Sequence, residues 1–137
     1  MAAVAVAGVM VIAGPALAAM LTATLSGASE VPGPGDANGT GQADLKTIPK
    51  RERVCYEINV QDVEQVTVAH IHKGPASEAG PIIKPLRAPI DGSSSGCVKM
   101  TRKQIMMLNR NPSAFYVNVH STPHPDGAVR GQLDTSP

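Results

Sequence analysis

Arg53-Val54-Cys55-Tyr56-Glu57-Ile58-Asn59-Val60 alternates without a break. Val54, Tyr56, Ile58 and Val60 fall on one side, and Cys55, Glu57 and Asn59 on the other. Successive side chains of a strand point to opposite faces, so this rhythm predicts a strand with one face in a core and the other towards water.

The same period recurs on both sides of that stretch. Leu21, Ala23 and Leu25 alternate with Thr22, Thr24 and Ser26, and Gly41, Ala43 and Leu45 alternate with Gln42, Asp44 and Lys46. Between them, residues 28–39 hold Pro32, Gly33, Pro34, Gly35, Asp36 and Asn38, which predicts a loop. Val66–His72 is expected as a strand with Val66, Val68, His70 and His72 on one face and Thr67, Ala69 and Ile71 on the other. Ile82–Leu86 reads as a short strand whose Pro85 belongs at an edge. Residues 91–96 read as a flexible turn and Cys97–Met100 as a strand with Val98 and Met100 inward. Thr101 with Gln104 three residues later fits a capping box, so one helix is expected, with Ile105, Met106 and Leu108 as its apolar face and Asn111-Pro112 as its end. Phe115–His120 and Ala128–Asp134 complete the set, with Val129 and Leu133 inward and Arg130 and Gln132 outward. About eight short strands with turn signals between them predict an all-β antiparallel sandwich or flattened barrel carrying one short helix.

Residues 1–19, MAAVAVAGVMVIAGPALAA, contain no charge. Ala16-Leu17-Ala18 places small residues where signal peptidase accepts them, so cleavage after Ala18 or Ala19 is expected. The absence of Lys or Arg before the apolar run departs from the usual leader. A membrane span is the competing reading, but Gly14-Pro15 interrupts a run already short of the ~20 apolar residues a span needs. The chain is therefore read as a signal peptide, 1–19, and one domain, 20–137, that works outside the cytoplasm without a membrane span in its mature form.

Cys55 and Cys97 are the two cysteines, and an even pair in an exported chain predicts a disulfide. Each lies opposite the core-facing side chains of its strand. Closing so long a loop stabilises the fold by about 4 kcal/mol on the chain-entropy model. The formal net charge is +1 and no basic run exceeds Lys50-Arg51-Glu52-Arg53, which argues against nucleic acid as a partner. Tyr56, Phe115 and Tyr116 are the only aromatics, too few for a stacking platform.

The four histidines fall in two places. His70 and His72, two apart on one strand, share a face; His120 ends another strand and His124 sits in the turn beyond it. If the last two strands form a hairpin in the simplest register, Asn118 faces Arg130 and Tyr116 faces Gln132. A strand bearing His70 and His72 alongside would complete a histidine cluster. H-x-H on a strand with a distant histidine builds copper and zinc sites, since imidazole suits both metals. The alternative is a structural polar seam, in which the histidines and Asn118 pair with Glu30, Arg130 and main-chain carbonyls. Catalytic arrangements are poorly served: the serines lack nucleophile-elbow spacing, the carboxylates are scattered, and Gly33–Gly41 leads into a strand and not a phosphate-binding helix. Asn38-Gly39-Thr40 matches the glycosylation sequon, which matters only in a eukaryotic secretory pathway.

Several pieces, in order, resemble the CHRD family, named for domains of chordin. They are Leu25-Ser26-Gly27-Ala28-Ser29-Glu30-Val31-Pro32, then Ala69-His70-Ile71-His72-Lys73-Gly74-Pro75 with Gly80-Pro81. Tyr116-Val117-Asn118-Val119-His120-Ser121 and Pro125-Asp126-Gly127-Ala128-Val129-Arg130-Gly131-Gln132-Leu133 follow. The resemblance covers about residues 21–134 and implies an extracellular β-sandwich or barrel. It implies no reaction, because the family has no agreed catalytic activity. Glu30, His70, His72, Asn118, His120 and Arg130 match its motifs, whereas His124 lies where the motif is loose. The His70-Ile71-His72 strand is also similar to that of copper-zinc superoxide dismutases, but four histidines cannot supply a two-metal set with a bridging histidine. The expected protein is a secreted or surface-associated binding or structural module without catalysis, its partner an extracellular protein or envelope component. The alternative is an extracytoplasmic protein holding one copper or zinc ion through His70, His72 and His120, and a third, less favoured reading is a superoxide-dismutase-like redox enzyme using copper.

Overall fold

Nine strands join in one antiparallel sheet that curls into a nearly closed barrel, in a computed structural model that describes Gly8 and residues 17–137. Most of the expected leader, residues 1–19, lies outside the described residues. The strands are β1 (Met20–Ser26), β2 (Thr40–Ile48), β3 (Arg53–Gln61), β4 (Val66–Lys73), β5 (Ile82–Leu86), β6 (Ser93–Lys99), β7 (Phe115–Ser121), β8 (Val129–Gln132) and β9 (Asp134–Thr135). Eight of them run in the order β5-β4-β7-β8-β1-β2-β3-β6, and the short β9 also pairs with β1. The outer strands β5 and β6 complete no ladder with each other. Side chains bridge the seam: the Arg87 N–H donates to Tyr56 Oη at 2.8 Å, and Ser94 Oγ donates to the Arg87 carbonyl at 2.7 Å. Pro85 lies on β5 at the end of the sheet, where a missing N–H costs no interior ladder bond.

The alternating residues fill the barrel. Val54, Tyr56, Ile58 and Val60 are buried beside Leu21, Leu25, Leu45, Ile71 and Val117. Each such side chain contributes roughly 1.5–3 kcal/mol when fully buried. Helix α1 (Arg102–Arg110) packs Ile105 and Leu108 into this core, and the adjacent Met100 joins them. Its capping box forms in both directions: Gln104 N–H donates to Thr101 Oγ1 at 3.1 Å, and Thr101 N–H donates to Gln104 Oε1 at 3.0 Å. Met106, expected on the apolar face, is only half-buried. Cys55 and Cys97 lie directly opposite each other on β3 and β6, with Cα atoms 3.9 Å apart, and form the expected disulfide on the outer surface.

Three local readings change. Ser93–Gly96, expected as a flexible turn, is the first half of β6, because β3 offers it an unbroken ladder from Asn59↔Ser93 to Tyr56↔Gly96. Gly96 suits that place: a Cβ there would stand 2.9 Å from the Tyr56 hydroxyl. In β4, a shift of register between Val66 and Ala69 returns Val66 to the core while Val68 faces solvent, so strict alternation fails at a bulge. The last strand is interrupted at Leu133, leaving β8 and β9 as separate pieces.

Candidate metal centre

The polar residues singled out in the sequence form two rungs on the outer face of the barrel. β7 lies between β4 and β8, in a register that sets His70 opposite Asn118 and Asn118 opposite Arg130. The next rung sets His72 opposite Tyr116 and Tyr116 opposite Gln132. His120 lies two residues beyond Asn118, on the same face.

An outer face is normally wet, yet Arg130 is 1% exposed and His72 8%. The loop from Gly74 to Gly80 covers them. Arg130 donates from Nη1 to the Glu78 carbonyl at 2.9 Å and from Nη2 to the Pro75 carbonyl at 2.6 Å and to Gln132 Oε1 at 3.1 Å. Gln132 Nε2 donates to the Gly74 carbonyl at 2.9 Å, and the Gly80 N–H donates to Tyr116 Oη at 3.0 Å. The Tyr116 ring stacks on His72 at 4.7 Å between centroids and receives the Arg130 guanidinium at 3.4 Å. Arg130 and Gln132, expected to point outward, do so into this loop and not into water. The strand period reports only which face a side chain takes, not what covers that face.

His70, His72 and His120 converge: one ring nitrogen from each lies within 4.8 Å of the others. Their tautomers follow from their partners. His72 Nδ1 lies 2.8 Å from the Gly80 carbonyl and His120 Nδ1 2.8 Å from the Pro125 carbonyl. A carbonyl only accepts, so each Nδ1 carries the hydrogen and each Nε2 keeps its lone pair. His72 Nε2 is buried without a hydrogen-bond partner among the described residues, as are His70 Nδ1 and Asn118 Oδ1. His120 Nε2 accepts from Asn118 Nδ2 at 3.0 Å. A ring whose Nδ1–H is held by a main-chain carbonyl while its Nε2 is left basic has the outer-shell support usual in metal-ligating histidines.

Burial lowers the pKa of His70, reinforced by the neighbouring His120 and His72, with Asn118 opposing. Burial also lowers that of His72, although the Gly80 carbonyl and Asn118 act in the other direction. Both rings are thereby favoured in the neutral form that binds metals.

Glu30 stands apart. Its carboxylate packs against Gly127, whose φ of 135° and lack of a Cβ leave the necessary room. Burial raises its pKa from 4.5 to about 7 against the pull of Arg130 and the Val31 N–H, and its Oε1 has no partner among the described residues. The histidine group contains no carboxylate among the described residues. His124 is held in the turn through its backbone, its N–H donating to Ser121 Oγ at 3.2 Å, and does not join the three. Sequence reasoning gathered the imidazoles and, in the polar-seam alternative, expected main-chain carbonyls beside them, but it did not identify Gly80 and Pro125, because a main-chain oxygen has no residue-type signature.

The family model of the CHRD domain matches residues 21–133. No curated protein matches the chain.

Proposed function

The chain belongs to the CHRD family, and since that membership leaves the chemistry to the site, we propose that the domain is an extracytoplasmic, non-catalytic module that holds one copper or zinc ion through His70, His72 and His120. The observation that carries this reading is the convergence of three imidazoles, two of them already held through Nδ1–H by the carbonyls of Gly80 and Pro125. His70 Nδ1 and His72 Nε2 are buried without a partner among the described residues, which is costly, and a cation repays the lone pair of His72 Nε2.

Binding requires small movements. Tetrahedral coordination at about 2.1 Å sets ligand nitrogens about 3.4 Å apart, so nitrogens up to 4.8 Å apart must draw together. The Asn118 amide must also turn away from His120 Nε2. His70 and His120 are half-buried and His72 is buried, so a fourth ligand position would open on the His70–His120 side. In the same reading, residues 1–19 direct export, and the Cys55–Cys97 bridge suits an oxidising compartment.

The test is metal content. Purified protein equilibrated with copper or zinc should retain one ion per chain by elemental analysis and melt at a higher temperature with metal than without. His70→Ala and His120→Ala should abolish both effects. A wild-type chain that retains no stoichiometric metal and shows no metal-dependent shift would remove the reading.

A further inference from the structure

The fold gathers cations that the sequence keeps apart. The turn Pro49–Arg51 between β2 and β3 and the junction of β6 with α1 meet at one end of the barrel. Lys50, Arg51, Arg53, Lys99, Arg102 and Lys103 are all exposed there, half of the twelve Lys and Arg residues of the chain. Arg53 and Lys99 are direct cross-strand partners, a like-charge pairing that costs stability and that folding alone does not reward. Glu52, the one acid in these stretches, is engaged by the Arg102 N–H at 3.4 Å. At the opposite end, Asp36, Asp62 and Glu64 line one cleft. The molecule is thus polarised along its barrel axis despite a net charge of only +1.

We propose that this basic end docks on an anionic lipid bilayer. One feature favours a membrane over a soluble polyanion: exposed apolar side chains lie among the cations. Met20, on β1 opposite Lys46, is 52% exposed, and Met107 of α1 is 37% exposed. A phosphate polymer gains nothing from them, whereas the boundary between lipid headgroups and acyl chains accepts both kinds of group. The acidic end is repelled by the same surface, which orients the barrel with its basic end down.

The experiment uses protein purified from cells expressing the full chain, in the form in which it matures, with vesicles of phosphatidylcholine alone or mixed with phosphatidylglycerol. Reaction with an amine reagent should show Lys50, Lys99 and Lys103 protected on the anionic vesicles only, with Lys84 on β5 unchanged. The variant Lys50→Glu/Arg51→Glu/Arg102→Glu/Lys103→Glu should lose more than about tenfold in the component that depends on phosphatidylglycerol. If that variant does not fold, added salt applied to the wild type should weaken the same component. Equal protection on both vesicle types, no protection, undiminished binding by a folded variant, or protection by soluble polyphosphate but not by anionic vesicles would overturn the proposal.

Discussion

Asn118 Nδ2 stands 3.0 Å from His120 Nε2, so the amide occupies the lone pair that a metal ion needs. Removing the amide frees that nitrogen. Asn118→Ala should therefore raise copper or zinc affinity by a few-fold, the equivalent of about 1 kcal/mol of hydrogen bond no longer competing. Titration calorimetry of both chains measures it. A drop of about 10–100-fold would instead make Asn118 a supporting outer-shell partner.

Arg130 joins the Gly74–Gly80 loop to the sheet through two carbonyls and the face of Tyr116. Arg130→Ala leaves those carbonyls without donors under the loop, and a loss of about 3–5 kcal/mol in urea unfolding is expected. Arg130→Lys should not restore it, because an ammonium lacks the planar fork that reaches both carbonyls while lying on a ring. Metal affinity should fall in both variants, since the same loop presents the Gly80 carbonyl to His72.

Glu30 gives the fold a specific pH response. Its folded pKa of about 7 lies above the ordinary 4.5, so the native state holds the proton more tightly than the unfolded state does. The stability it contributes is full below pH 4.5 and is lost as pH rises through about 7, with a slope of at most about 1.4 kcal/mol per pH unit. His70 and His72 act with the opposite sign: folded values below 6.5 give stability that is present above pH 6.5 and lost as pH falls. The informative quantity is therefore the difference between wild type and Glu30→Gln in urea unfolding across this window. That difference should favour the variant increasingly from about pH 4.5 to pH 7 and level off above that.

The Cys55–Cys97 bridge ties β6, an outer strand whose one ladder partner among the described residues is β3, to the rest of the barrel. Replacing both cysteines by serine should cost up to about 4 kcal/mol on the chain-entropy model. Amide exchange should then accelerate first in Ser93–Lys99, before the strands on either side of β7. Uniform acceleration across the sheet would show that β6 does not open as a unit.

Much of the architecture was legible because a half-buried strand must alternate. Arg53–Val60, Leu21–Ser26 and Phe115–His120 each show that period, and Thr101 with Gln104 marks a helix start by local hydrogen bonding alone. The opposition of Asn118 to Arg130, and of Tyr116 to Gln132, followed from the simplest hairpin register. Ser93–Gly96 and Val66 went the other way. A Ser-rich stretch has no hydrophobic period to announce a strand, and a bulge inserts a residue that no periodicity foresees.

By itself, then, the sequence determined a β architecture, the side of each strand that faces the core, and a set of imidazoles able to share one face. Those are consequences of neighbours along the chain. Which carbonyls hold His72 and His120, what buries Arg130, and how Lys50 and Lys103 come to one end of the barrel were decided only by tertiary structure. Each depends on segments tens of residues apart being brought together by burial of the core, and residue types in sequence carry no measure of that distance.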